Sequence, residues 1–556
     1  MGHPTKIQLI QRQTSEQWYV NFPAALAQAM EFDKGEVWEW IVEDKNQLVL
    51  KRQIPVESAL KKKTPKAFSQ GKYGIGLRLT FEQLFERTRP AFRQQRTFER
   101  AKTLALSGLL CLGRHTVAGM LATSGQQFQD WSANYRVFEQ ERIDVPALFS
   151  AVITGVIDTL PDGAPIVGAI DDTLIRKKGR RIAGTSWRRD PLGPSFTNNF
   201  IWASRFLQLS LAMPESANGP SPARMIPVDL RHCPSPRKPG KRAFDEQRME
   251  WKNASSQARI SAEGARRMRV LREEFDRQGM RERQIIMTAD GTFTCREVFK
   301  NLSGRIDLIG RIRKDARLYK LPTPEQENCG RGRKRAYGDR LPTPEEIRKD
   351  QNIPWVDVRA YAAGKEHLFN VKEISPCRWK HAGGERTLRL IIVRPLAYRL
   401  KKRAPMNYRA PAYLITTDLA LPLEKILQSY IWRWEIEVNF RDEKTLLGLG
   451  EAQVRTSKSI ETLTPFLVAV YAMLLLALEK VGGRRRSLPP PAWQRQKIAG
   501  QSRTSTAQAL RELRAEVWGD SLGGKNKNSF MNTNTSFMKL IHLESCAATA
   551  VCYATG

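Results

Sequence analysis

The N-terminal segment differs from the rest of the chain in the spacing of its apolar positions. Four short runs alternate apolar and polar residues, and PAALAQAM (23–30), which has helical spacing, lies between the second and third. This pattern predicts a β-β-α-β-β unit, assigned to residues 1–54. Residues 55–76 are basic and poor in periodic apolar residues, which predicts a linker.

Residues 77–160 carry apolar positions at the spacing of amphipathic helices and predict a helical domain. Within it, two apolar stretches of the segment 101–122 flank a turn at Gly113, Arg114 and His115. This arrangement is typical of a helix-turn-helix that reads DNA, although many such helix pairs serve packing alone.

Strand-like runs dominate after residue 160. Those at 165–171, 200–211 and 225–230 are followed by a long charged helix and then by alternating strands and helices. This order resembles that of an RNase H-like core. We assign residues 161–320 to the first part of that core.

The second part of the core, residues 399–480, contains a strand and a long helix. Between the two parts, residues 321–398 begin with a basic, Gly-rich loop and continue as strands, which predicts a β-rich insertion. Residues 481–520 form a basic C-terminal region, and residues 521–556 are polar and low in complexity, which predicts disorder.

The predicted fold class is therefore α/β: an RNase H-like mixed sheet with a β-rich insertion, preceded by a helical domain and a small β-rich N-terminal domain. In that last domain, the succession VNFP, helix, KGEVWEW and DKNQLVL resembles the AbrB/MazE-type swapped-hairpin DNA-binding domains. One copy of so small a sheet cannot cover Trp18, Trp38 and Trp40, which agrees with the interleaved dimer of that family. An ordinary small β-domain used for protein contacts is the alternative.

Charge indicates the class of partner. The 556 residues include 91 Lys and Arg against 57 Asp and Glu, a net charge of +34. An excess this large favours a polyanion, and we expect double-stranded DNA. The seven cysteines and six histidines are scattered and predict neither a disulfide framework nor a zinc finger.

The longest apolar run, residues 466–478, is shorter than the ~20 residues that span a bilayer. It predicts a buried core helix, and we expect no membrane partner. Because the N-terminus has no apolar segment of secretory type, the expected location is the cytoplasm, in association with the nucleoid.

Three carboxylates lie where an open α/β sheet gathers its functional residues. Asp172 and Asp290 end predicted strands, and Glu437 lies in the predicted helix. Carboxylate oxygens suit hard divalent ions, and three acids can hold two ions about 4 Å apart for phosphoryl transfer. Taken alone, such acids are equally typical of a solvated surface.

The predicted helix offers independent support. Four of its side chains lie within about 60° of arc on an α-helix, because the last three are offset by 3, 7 and 14 residues from the first. They are Tyr430, Arg433, Glu437 and Lys444. A phenol, an acid and two cations on one face are typical of a phosphate-binding site. A solvated face is the alternative.

The spacing Tyr-x2-Arg-x3-Glu-x6-Lys resembles the signature of one branch of the DDE transposases of bacterial insertion sequences, and the resemblance covers roughly residues 77–480. In that family the first acid is followed by Thr. This favours Asp172, which precedes Thr173, and leaves Asp171 as second choice.

The resemblance implies that Asp172, Asp290 and Glu437 are the catalytic residues and the ligands of two Mg²⁺ ions, for which Mn²⁺ can substitute. It also implies a transposase that binds the terminal inverted repeats of its element, cleaves the DNA ends and joins the 3′-OH ends to target DNA, by a cut-and-paste route. The active complex would be a homodimer or larger, without a small-molecule substrate.

Further DNA contacts are expected around this site. Tyr430, Arg433 and Lys444 belong to the signature, and the basic segment 175–189, with Lys177 and Lys178, would line the DNA approach. Trp434 would stack on an unpaired base or, alternatively, pack in the core.

Two other functions fit parts of the same pattern. A sequence-specific DNA-binding protein or repressor derived from a transposase would keep the basic surfaces without needing the three acids. An RNase H-like nuclease without strand transfer would need the same acids. The intact signature on the helix favours the transposase.

Overall fold

The structure is a computed structural model. It describes residues 7–12, 15–20, 38–42, 48–52, 76–161, 163–190, 193, 199–324, 334–399, 405–482, 503–522 and 551. The chain divides into two compact units: residues 1–74 with 535–545, and residues 75–534 with 546–556.

The smaller unit contains the four predicted N-terminal strands. They are β1 (Ile7–Arg12), β2 (Ser15–Val20), β3 (Trp38–Val42) and β4 (Leu48–Arg52). β1 pairs with β2, and β3 with β4, both antiparallel. The predicted helix at 23–30 and nearly all of the predicted linker lie outside the described residues, and the interleaved dimer stays a prediction.

The larger unit begins with the helices expected between residues 77 and 160. They are α1 (Leu77–Glu86), α2 (Gln95–Leu110), α3 (Val117–Thr123), α4 (Ser132–Glu139) and α5 (Val145–Ile157). The turn between α2 and α3 ends at Thr116, whose Oγ1 accepts a hydrogen bond from the Gly119 amide and caps α3. The predicted helix pair is therefore present, while DNA reading by it stays a prediction.

A mixed sheet forms the centre of this unit. Its first strands are β5 (Ile166–Arg176), β6 (Ser186–Arg189), β7 (Phe200–Pro214), β8 (Ala223–His232), β9 (Ile285–Ala289) and β10 (Ile306–Arg311). β7 is antiparallel to β5 and β8, whereas β5, β9 and β10 run parallel. The spatial order β8-β7-β5-β9-β10 confirms the predicted α/β class with an RNase H-like mixed sheet.

The strands predicted for the insertion extend this sheet. They are β11 (Val356–Ala362), β12 (Lys365–Arg378) and β13 (Thr387–Val393), and they are followed by β14 (Ala397–Tyr398), β15 (Asn407–Tyr408) and β16 (Ala412–Thr416). β16 pairs with both β10 and β13, so β11, β12 and β13 continue the core sheet.

Further helices precede and follow the strands of this sheet in the chain. They are α6 (Asp245–Gln257), α7 (Ile260–Arg277), α8 (Arg296–Asn301), α9 (Pro344–Lys349), α10 (Leu423–Trp432), α11 (Trp434–Thr445), α12 (Ser457–Lys480) and α13 (Thr506–Leu522). Two apolar cores result. One joins α12 and the N-terminal helices to one sheet face, and the other lies between the opposite face and α10 with α11.

Helix α12 contains the apolar run 466–478 predicted to be a core helix. It is long and apolar enough to cross a membrane, but 94% of its most apolar window is buried by the rest of the protein. Its neighbours include α1, α5 and β8. The apolar side chains of α12 therefore fill the first core.

Helix α13 closes the first core and supplies a cap for α1. The Glu516 carboxylate accepts hydrogen bonds from the backbone amides of Leu77 and Arg78, at 3.0 and 2.6 Å. Gly76, the residue at the N-cap position of α1, has no side chain to do so. The C-terminal helix thus satisfies the first amides of the helical domain.

We predict that Glu516→Ala lowers the stability of the larger unit by about 1 kcal/mol, the usual effect of losing an N-terminal helix cap. The measurement is the midpoint of thermal unfolding. Glu82→Ala, which removes only the half-exposed pair of Glu82 with Arg78 on α1, is the control and should have a smaller effect. Equal midpoints for Glu516→Ala and the unmodified protein would contradict the capping role.

Candidate active site

The register of two parallel strands brings two acids together. In the β5–β9 pair, Ile170 lies opposite Ala289, so Asp171, within β5, lies beside Asp290, which directly follows β9. Neighbouring strands lie about 4.8 Å apart. The two carboxylates therefore start from adjacent positions where β9 ends. β5 itself continues beyond both aspartates, so the prediction that Asp172 ends its strand is wrong.

Strand alternation fixes the face to which Asp171 belongs. Val167 and Ala169, four and two residues before it, pack in the second core together with Ile286 of β9. Because side chains alternate along a strand, Asp171 continues this row. Its carboxylate thus lies on the sheet face that α10 and α11 cover.

The same core positions the glutamate. Ile436 and Phe440 of α11 pack in the second core, and Glu437 follows in the first turn of that helix. Arg433 occupies the break between α10 and α11. Its Nη1 donates to Asp171 Oδ2 at 3.2 Å, and its Nη2 donates to Glu437 Oε1 at 3.1 Å. One guanidinium therefore bridges the sheet acid and the helix acid.

The surroundings of Asp171 change the pKa of its carboxyl group. Burial, together with the negative charge of Asp290, raises the pKa of Asp171 to about 7, although Arg433 opposes the rise. A carboxyl whose pKa is raised by burial and by a second carboxylate is typical of a functional site.

The structure places Asp172 on the opposite face of β5. Its carboxylate accepts two hydrogen bonds from Arg205 of β7, Nε to Oδ2 at 2.7 Å and Nη2 to Oδ1 at 3.0 Å. The reason is strand alternation: residues 171 and 172 point to opposite sides of the sheet. The geometry thus brings Asp171, the second choice from the sequence, to Asp290 and Glu437, and leaves the preferred Asp172 in an ion pair.

Tyr430 and Arg433 are brought together as the signature predicts. The Arg433 guanidinium carbon lies 5.7 Å from the centre of the Tyr430 ring. Burial raises the pKa of Tyr430, and the positive charges of Arg433 and Arg311 oppose this effect. The single helix predicted from the sequence, however, is interrupted at Arg433. Tyr430 therefore lies on α10, whereas Glu437 and Lys444 lie on α11.

The remaining predicted DNA contacts differ in their surroundings. Lys444 Nζ donates to Thr173 Oγ1 at 2.5 Å, on the same face of β5 as Asp171. Lys177 Nζ donates to the carbonyls of Gly450 and Ala452, at 2.9 and 3.4 Å, which ties the end of β5 to the loop after α11. Lys177 is thus engaged within the protein.

Two other predicted contacts face solvent. Lys178 is exposed, and Trp434 is 61% exposed. By contrast, Trp432 is buried, and its indole N–H donates to the Ser221 carbonyl at 2.8 Å. Of the two tryptophans that flank Arg433, only Trp434 is therefore open to a ligand.

Two residues near the site were missed in the sequence. Arg311 ends β10, and its charge reaches Tyr430; the rule that strand ends gather sites would have found it. Glu443 of α11 is fully buried, and burial raises its pKa to about 8. No motif in the sequence signals this buried acid.

The family model described as DDE superfamily endonuclease matches residues 87–381. The chain belongs to this family. The matched region of this DDE endonuclease contains Asp171 and Asp290 and ends before Glu437. No match was found among the curated proteins. Family membership agrees with DNA as the substrate, and members typically use divalent metal ions.

The donor atoms of this DDE endonuclease suit such an ion in kind. Asp171, Asp290 and Glu437 offer hard carboxylate oxygens, and the pKa of Asp171 is raised by burial and by the neighbouring Asp290. Within the described part of the chain, no three Asp, Glu, His or Cys side chains are close enough to enclose a metal. The Arg433 guanidinium supplies the positive charge between Asp171 and Glu437.

Replacement of Asp171 and replacement of Asp172 should change the stability of the folded protein in opposite directions. Because the pKa of Asp171 is raised in the folded protein, its ionisation costs stability as the pH rises from about 4 to about 7. In metal-free buffer, Asp171→Asn should therefore raise the unfolding midpoint at pH 8, with a smaller increase at pH 5. Asp172→Asn should lower it at pH 8, because Arg205 loses two charge-assisted hydrogen bonds.

The measurement is thermal unfolding of both variants in EDTA at the two pH values. A stabilising Asp172→Asn, or an Asp171→Asn variant that is destabilised at pH 8, would contradict the assignment of the two residues to opposite faces of β5.

Proposed function

We propose that this DDE endonuclease is a metal-dependent DNA transposase that cleaves at the terminal inverted repeats of its element and joins the 3′-OH ends to target DNA by a cut-and-paste route. The observation that carries the proposal is the β5–β9 register, which sets Asp171 beside Asp290 below the helix that holds Glu437. The acids come from two strands and one helix, and the Arg433 guanidinium bridges Asp171 and Glu437.

In this proposal Asp171, Asp290 and Glu437 hold the metal, and Asp172 does not. Two Mg²⁺ ions, or Mn²⁺, would activate the attacking hydroxyl and stabilise the leaving oxygen of the phosphodiester. Asp290 is oriented for this role, because Oδ1 accepts from the Thr292 amide at 2.9 Å and Oδ2 from the Thr292 hydroxyl at 3.1 Å.

The cations beside the acids would hold the DNA strand. When the acids bind metal, the planar guanidinium of Arg433 can donate two parallel hydrogen bonds to a phosphate. Lys444 adds a second positive charge, held at Thr173. Exposed Lys178 would contact the approaching duplex, and exposed Trp434 would stack on an unpaired base at the cleaved end.

The assembly and location follow from the same proposal. Two DNA ends have to be held together for joining, so we propose a homodimer or larger complex, to which an interleaved N-terminal domain would contribute. The protein would act in the cytoplasm, in association with the nucleoid. No small molecule is needed as substrate.

We predict that Asp171→Asn, Asp290→Asn and Glu437→Gln each reduce Mg²⁺-dependent strand cleavage by at least about 1,000-fold, because activation of the nucleophile is lost. DNA affinity should change less than about threefold, since few phosphate contacts are removed. Cleavage of an end-sequence duplex and its binding are measured in parallel.

Asp172→Asn is the matched control, one residue away on the same strand. It should retain cleavage once corrected for its lower stability. Loss of cleavage in Asp172→Asn together with full activity of Asp171→Asn would contradict the proposed ligand set. Cleavage without any joining to target DNA would indicate a nuclease instead of a transposase.

The two neighbouring lysines allow a second matched comparison. Lys177→Ala should lower the unfolding midpoint, because the carbonyls of Gly450 and Ala452 lose their donor, while DNA affinity changes little. Lys178→Ala should leave the unfolding midpoint unchanged and weaken DNA binding. The number of counterions released on binding, measured from the dependence of affinity on salt concentration, should fall by about one. Equal effects of both variants on DNA affinity would show that Lys177 also contacts DNA.

A further inference from the structure

A cluster of one guanidinium and two indoles lies beyond the candidate site, where the two indoles pack edge to face with ring centres 5.6 Å apart. The guanidinium carbon of Arg180 is 4.9 Å from the ring centre of Trp187 and 5.1 Å from that of Trp202. The indole N–H of Trp202 donates to the Gly179 carbonyl at 3.0 Å, which closes the loop that carries Arg180 onto β7. The arginine side chain therefore lies against both indole rings, although it is exposed.

This cluster is open to solvent and surrounded by positive charge. Trp187 is 54% exposed, and Phe200, at the start of β7, is 55% exposed. Residues 176–189 contain seven Lys and Arg and no acid. Exposed aromatic rings in a basic segment are poorly explained by packing, because Trp187 stays 54% exposed although Trp202 packs edge-on against it, with ring centres 5.6 Å apart.

The cluster lies at a defined distance from Asp171. Trp202 pairs with Trp187 in the β6–β7 register, and Gln208 pairs with Asp171 in the β5–β7 register. Positions 202 and 208 on β7 are separated by about 20 Å at ~3.3 Å per residue. Duplex DNA rises 3.4 Å per base pair, so this span corresponds to about six base pairs.

We propose that Arg180, held against Trp187 and Trp202, binds a phosphate of the DNA duplex about six base pairs from the cleavage point, and that the exposed indole of Trp187 packs on the adjoining sugar. The inference rests on the proposed function, because it takes the cleavage point to lie at Asp171. A guanidinium presents a planar fork that matches phosphate. Since the indoles already restrict its rotamers, less conformational entropy is lost on binding.

The test uses binding without metal, so that it does not depend on cleavage. Fluorescence anisotropy would measure affinity for three duplexes with the end sequence of the element. One extends ten base pairs on both sides of the cleavage point, and each of the other two is shortened to four base pairs on one side. Arg180→Ala should bind the long duplex about tenfold more weakly, the effect of losing one bidentate charged contact. The loss should disappear on one of the shortened duplexes.

Arg181→Ala is the matched control. Arg181 carries the same charge one residue away and is exposed. Its replacement by Ala should weaken binding to the long duplex only about two- to threefold. Arg180→Lys keeps the charge but lacks the fork, and Trp187→Ala leaves the arginine unsupported; both should weaken binding to the long duplex severalfold.

Three results would overturn the inference: equal losses for Arg180→Ala and Arg181→Ala, an Arg180→Ala loss that is the same on all three duplexes, or wild-type affinity in Arg180→Lys. None of them would affect the proposed function, which fails separately if the unmodified protein does not cleave the long duplex with Mg²⁺.

Discussion

The parallel pairing of β5 with β9 is the constraint on which the candidate site depends. A strand that slips by one residue turns each of its side chains to the other face. The register is specified by apolar rows: Val167 and Ala169 of β5 and Ile286 of β9 share one core with the helices that carry Arg433 and Glu437. The same packing that stabilises the sheet therefore decides which aspartate meets the other acids.

The site concentrates negative charge where burial makes it costly. The pKa of Asp171, raised to about 7 by burial and by Asp290, is the clearest sign of this cost. Arg433 offsets part of it by bridging Asp171 and Glu437. Such destabilised arrangements are characteristic of functional sites, where a ligand removes the repulsion. The positive charge of the surrounding chain has the complementary role, because it favours approach of a polyanion.

Much of the fold could be predicted from the sequence, since long apolar runs and their spacing indicate element types locally. The observed bounds of β7 and β8 differ from the predicted ones by at most three residues, whereas β5 continues five residues beyond its predicted end. The face of β5 could not be predicted, because the strand is apolar on both sides up to Asp171, and alternation alone does not say which side meets α11. Resemblance favoured Asp172 through its neighbour Thr173, yet long-range pairing decides the geometry. The break at Arg433 and the joining of β13 to β16 likewise depend on contacts distant in sequence.

The most direct test of the account is the binding of Mn²⁺ to the DNA complex, followed by electron paramagnetic resonance in the unmodified protein, in Asp171→Asn and in Asp172→Asn. We expect tightly bound Mn²⁺ in the unmodified protein and in Asp172→Asn, and its loss in Asp171→Asn. Retention of tightly bound Mn²⁺ in Asp171→Asn with loss in Asp172→Asn would contradict the assignment of Asp171, Asp290 and Glu437 to one metal site.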